Sequence, residues 1–183
     1  MITITAIEKY KKQSSDEIFT FLAGGITNCK ELQDAILNKL NEFKIDNNLI
    51  VFNPRRKKFP INDPTASFDQ IRWEFEYLEQ CDIFSMYFDG PVESDQPICF
   101  YELGRNIERM KMKFPDNWDK RIIITGNYQF KRINDVVIQT MLATNSKIKV
   151  NVFDKFEESI EYHANAIKDA FMFLKGENNE WNE

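Results

Sequence analysis

The 183-residue chain is long enough to bury one sizeable core and too short for two domains of ordinary size. At 43% hydrophobic and 29% charged it reads as globular, and its net charge of −5 argues against a surface built to neutralise nucleic-acid phosphates. The one histidine, His163, excludes every two-histidine metal site and leaves a Ser-His-Asp triad no other base to use. Cys29, Cys81 and Cys99 form no CxxC and are odd in number, which fits a reducing compartment. The opening residues MITITAIEKYKKQSS lack the apolar core of a signal peptide, and no apolar run is long enough to cross a membrane. A cytoplasmic protein with no membrane partner is expected.

Glu17 to Ala23 reads as a buried strand running into Gly24-Gly25, and the spacing of Leu32, Ile36, Leu40 and Phe43 predicts a helix over 28–43. Leu49 to Phe52 is the next strand, stopped by Asn53-Pro54. The polar run 55–67, with Arg55-Arg56-Lys57-Lys58 and two prolines, is a loop. A helix over 68–80 leads to a strand at Ile83 to Phe88. After a loop from Asp89 to Gln96, Pro97 is placed to open a helix reaching about Met112. Arg121 to Thr125 is a strand, and Ile133, Val136, Val137, Thr140 and Met141 mark a helix. Ile148 to Phe153 gives the last strand, and Phe156, Ile160, Ile167, Phe171 and Leu174 the last helix. The tail GENNEWNE, with Trp181, reads as frayed. No repeat or linker interrupts the chain, so residues 1–183 are expected to form a single domain.

Strands alternating with helices in this way predict an open α/β fold. It is a doubly wound, mostly parallel five-stranded sheet of the flavodoxin or Rossmann type, with helices on both faces. The βα units are too few for an eight-stranded barrel. Such sheets bind ligands beyond the carboxyl ends of their strands, where the strand order reverses. Gly24-Gly25, Asn53 to Arg56, Asp89 to Gln96 and Gly126 to Tyr128 fall at those ends.

Glu74 interrupts the apolar spacing Ile71, Phe75, Leu78. It is either a carboxylate on a buried face, which needs a partner or a proton, or a solvated residue at the rim of a narrow stripe. Glu102 lies beside the core stripe Cys99, Leu103, Ile107, Met110, near a helix amino end that favours an anion; the plain alternative is a solvated helix glutamate. Without a usable histidine, carboxylates are the acid-base candidates, and two in one pocket can divide the work of cleaving a glycosidic bond. Arg55 and Arg56 follow a strand directly, where guanidinium forks suit a 5′-phosphate or an acidic partner, or else belong with Lys57 and Lys58 to a solvated loop. Trp73 and Tyr128 could stack on a base or fill the core. Gly24 and Gly25 let a backbone approach a ligand, but they make no GxGxxG, so no dinucleotide cofactor is expected. His163 falls on the apolar side of its helix as a core residue, the cysteines read as buried thiols, and no metal site is expected.

The runs FLAGGI (21–26), FNPRR (52–56), QIRWE (70–74), CDI (81–83) and YELGR (101–105) occur in that order, followed by GNYQFKRINDVVIQ (126–139). Together they resemble the nucleoside 2-deoxyribosyltransferase superfamily, in particular its nucleoside 2-deoxyribosyltransferase-like branch, over roughly residues 18–142. The resemblance implies cleavage of the N-glycosidic bond of a 2′-deoxynucleoside or its monophosphate, with transfer of the deoxyribosyl group to another base or to water. It implies Glu102, in the Glu-Leu-Gly motif, as the nucleophile, Glu74 as the second acid, and a homo-oligomer that sometimes completes its site from a neighbour. Many members carry Asp where this chain has Glu74. Transferases place Tyr where this chain has Phe21; where it has Gln96, beside Asp95, nucleoside transferases carry Asp and monophosphate hydrolases carry Ser. Gly24, Gly25, Asn53, Arg55, Trp73, Asp95, Gln96 and Tyr128 are therefore the candidate binding residues. The alternative is a catalytically silent nucleotide-binding or sensing module in the same pocket. An electron-transfer flavodoxin would need a Ser/Thr-rich phosphate loop, which Gly-Gly-Ile-Thr-Asn does not supply.

Overall fold

Period-two alternation decides which side chains each strand sends to which face. In strand β4 (Ile83–Phe88), Ile83 and Tyr87 face one apolar layer, and Phe84, Met86 and Phe88 face the other. Strands β2 (Ile18–Gly24) and β3 (Leu49–Asn53) divide in the same way, which is why all three read as unbroken apolar runs. The computed structural model describes residues 1–60 and 62–176. Within them β1 (Ile2–Thr5), β5 (Ile122–Asn127) and β6 (Val150–Phe153) complete an open, all-parallel six-stranded sheet of order β1-β3-β2-β4-β5-β6.

The expected five strands become six because Ile2–Thr5 pairs in register with Ile50 to Asn53. This edge strand is only four residues long, and its Ile/Thr alternation carries little apolar signal. A short 3-10 turn at Trp118–Arg121 moves the start of β5 from Arg121 to Ile122. Helices α1 (Leu32–Glu42) and α5 (Phe156–Leu174) cover one face. Helices α2 (Ala66–Gln80), α3 (Pro97–Lys113) and α4 (Ile133–Ala143) cover the other. The tail from residue 177, Trp181 included, lies outside the described residues.

Helix α2 turns a different face inward from the one the aliphatics suggested. Ala66, Gln70, Trp73, Tyr77 and Leu78 are buried, whereas Ile71 and Phe75 are 63% and 55% exposed. The aromatic spacing prevails because Trp73 and Tyr77 close a ring cluster with Phe52. His163 is buried, its Nδ1 paired with Thr125 Oγ1 at 2.6 Å, and burial lowers its pKa to about 3.

The chain leaves β2 for β3 on one side and returns across β2 to β4 on the other. The strand order therefore reverses between β2 and β4, and a crevice opens beyond their carboxyl ends.

Candidate active site

A cavity of about 230 Å³ fills that crevice. The end of β2 and the loop after it supply Gly24 to Thr27, and the loop before α3 supplies Ser94 and Gln96. Glu74 of α2 and Glu102 of α3 enter from the helices, and Phe21, Ala23, Pro54 and Cys99 complete much of the apolar wall.

The two loops fit closely. Gly24 has φ +151°, and a Cβ there would stand 2.8 Å from the Tyr87 carbonyl oxygen. At Gly25 a Cβ would collide with Cys29 Sγ and the Gln96 carboxamide. Gln96 takes a left-handed conformation (φ +48°) just before Pro97, a geometry that costs a side-chain-bearing residue about 1 kcal/mol or more. Its carboxamide offsets this by bonding both ways to Asp89: Nε2 donates to the Asp89 carbonyl at 2.9 Å, and the Asp89 N–H donates to Oε1 at 3.4 Å.

Both carboxylates are largely withdrawn from water. Burial raises the pKa of Glu74, while the N–H donated by Gln70 Nε2 at 2.7 Å opposes the rise. Glu102 is pushed up to about 7, first by burial and then by the charge of Glu74, with Arg105 acting in the opposite sense. The amino end of α3 does not make Glu102 the easier anion, because burial and the second carboxylate outweigh it. Cys99 and Cys29, beside the cavity, are pushed up to about 12 and about 11 by burial, so both stay protonated thiols. Cys29 is half-buried rather than fully buried.

Of the residues singled out in the sequence, Glu74, Glu102, Gly24, Gly25 and Gln96 come together around the cavity; Asn53, Arg55, Trp73, Asp95 and Tyr128 do not line it. Trp73 is buried, donating from Nε1 to the Glu8 carbonyl at 2.7 Å. Asn53 is buried at the end of β3, where Oδ1 accepts the Arg55 N–H at 2.9 Å and Nδ2 donates to Asp34 at 3.3 Å. Asp95 is exposed and 3.7 Å from Lys131 Nζ, and Tyr128 is exposed. Arg55 reaches instead for backbone carbonyls of the loop after β2. Pro54, inside the expected segment Asn53 to Arg56, does line the cavity, whereas Ile26, Thr27 and Ile98 were not expected as wall residues; their place after β2 and at the start of α3 was the available signal. Gln70, one turn before Glu74, was also passed over as a site residue.

A doubly wound sheet with two half-buried carboxylates lining a crevice at its switch point defines the general class, an open α/β protein with a small-ligand crevice beyond the carboxyl ends of its strands. Residues 17–114 match the family described as nucleoside 2-deoxyribosyltransferase like, and the chain belongs to that family. The matched segment spans β2 to α3 and so holds both carboxylates and both loops. No curated protein matches the chain.

Proposed function

We propose that the protein cleaves the N-glycosidic bond of a 2′-deoxynucleoside or its monophosphate, passing the deoxyribosyl group to another base or to water. The observation that carries the reading is the entry of Glu74 and Glu102 into one cavity inside the family-matched segment. Glu102 attacks C1′ as a carboxylate, and the C1′–N electron pair leaves with the base. Glu74 takes up the proton the pair shares and hands it to the departing nitrogen. The incoming base or water then gives its proton to Glu74 and attacks C1′, breaking the C1′–O bond to Glu102 and restoring the proton of the pair. No Lys or Arg lines the cavity among the described residues, which favours the uncharged nucleoside over the monophosphate. Gly24, Gly25 and Gln96 shape the sugar and base pocket, and the chemistry calls for no metal or cofactor.

We place this activity in the cytoplasm, in keeping with three free cysteines. Among the described residues no helix is long and apolar enough to cross a membrane. A second copy of the chain is the proposed partner: Phe68, Ile71 and Phe75 of α2 and Ile98 and Tyr101 of α3 are exposed on the helices that carry Glu74 and Glu102. A specific observation favours a second reading, a silent nucleotide-binding module: buried Phe21 lines the cavity where family transferases carry a tyrosine hydroxyl.

Incubation with deoxynucleosides and deoxynucleotides, with free base followed by chromatography, tests the enzyme reading. Base release supports it; ligand binding without release supports the silent module.

A further inference from the structure

Gln70 is 9% exposed and lies one helical turn before Glu74 on α2. Its Nε2 donates to the Pro54 carbonyl at 2.6 Å and to Glu74 Oε1 at 2.7 Å, while its own Oε1 is buried with no partner. A peptide carbonyl only accepts, so the nitrogen end of the amide must face Pro54. Turned over, the amide would set an oxygen against two acceptors. The second N–H is thereby committed to Glu74 whether or not that residue carries a proton. A fixed donor of this kind favours the carboxylate form.

Glu102 has no such support. Its carboxyl accepts no hydrogen bond among the described residues. The titratable and charged groups that act on the pair come from α3 (Cys99, Glu102 and Arg105) and, through Cys99, from Cys29 on the loop after β2. Arg105 is itself engaged by Glu79 and by the Phe75 ring at 4.1 Å. A methionine or leucine would fill the place of Gln70 without a buried, unpaired oxygen, so packing alone does not account for an amide there.

We propose that Gln70 is a positioning residue for the carboxylate pair: through the Pro54 carbonyl it holds Glu74 fixed and ionised and leaves the shared proton on Glu102. Its meaning for catalysis rests on the functional reading above, whereas the division of the proton is a property of the unliganded protein.

The test is a carboxyl-carbon NMR titration of the unliganded full chain labelled at glutamate, with Glu74→Gln and Glu102→Gln used for assignment. In the wild type Glu74 should titrate below Glu102. In Gln70→Met the Glu74 midpoint should rise by about one unit, closing or reversing the gap. An unchanged Glu74 midpoint in that variant, or a wild type in which Glu102 loses its proton first, overturns the proposal. If methionine disturbs the packing, seen as lost spectral dispersion, Gln70→Glu replaces the amide by a group of the same shape. There the added carboxylate should raise Glu74 as well, and no rise overturns the proposal. Failure of the wild type to release base would defeat the enzyme reading and leave these titrations as they are.

Discussion

The guanidinium of Arg55 donates from Nη2 to the carbonyl oxygen of Lys30 at 2.7 Å, tying the end of β3 to the loop after β2. Nη2 also reaches the carbonyls of Ile26 and Cys29 at 3.3 and 3.4 Å, and Nε donates to Gln33 Oε1 at 2.9 Å. One side chain thus shapes the loop that delivers Gly24, Gly25, Ile26 and Thr27 to the cavity.

Arg55→Ala should therefore weaken nucleoside and monophosphate binding by similar factors. It should also lower stability by about 1–3 kcal/mol, because several carbonyls lose a charged donor. Calorimetric titration of both ligands with a denaturant melt checks this. A loss confined to the monophosphate would restore the phosphate-binding role that the position of Arg55 in the sequence suggests.

Glu102 links stability to pH. Its pKa is raised in the fold from 4.5 to about 7, so the native state binds the extra proton between those values. Its contribution to stability is full below about pH 4.5 and is lost as pH rises through about 7. Glu102→Gln should consequently stabilise the protein above pH 7, by up to about 3 kcal/mol, and the gain should vanish near pH 4. Thermal melts of both proteins across that range measure the difference, and a constant difference would contradict the assignment.

Glu74→Gln removes the second of the two causes that raise Glu102 and leaves the first, burial. The Glu102 midpoint, followed by carboxyl-carbon NMR, should accordingly move below about 7 yet stay above the ordinary glutamate value. The maximal rate should fall by roughly 10²-fold or more, since the amide cannot carry the proton. A midpoint that stays in place would show that the two carboxylates do not feel each other.

Much of the architecture was legible because both faces of the central strands are covered, so β2, β3 and β4 appear as apolar runs between helical spacings. The edge strand Ile2–Thr5 was not, since a four-residue pairing is decided by the β3 backbone it meets. Glu102 was found from the order of the motifs. Glu74 was flagged through the stripe Ile71, Phe75, Leu78, which is mostly exposed; it reaches the cavity instead as the neighbour of buried Trp73. Periodicity identifies an apolar face but does not say whether aliphatic or aromatic residues will win the core. Asn53 and Arg55 lie at the predicted end of the sheet and Trp73 on the helix that follows, yet no local pattern shows their partners: Asp34 and the Arg55 N–H for Asn53, backbone carbonyls for Arg55, and the Glu8 carbonyl and core rings for Trp73.

Peptide mass spectrometry of the quenched reaction tests covalent attack by Glu102 most directly. Wild-type protein incubated with a 2′-deoxynucleoside just below pH 7, where the pair keeps its shared proton, and stopped in acid should carry a deoxyribosyl ester on the peptide containing Glu102. Glu102→Gln should show no adduct and release base on the order of 10³-fold more slowly or worse. An adduct on another residue, or near wild-type base release by Glu102→Gln, would contradict the account.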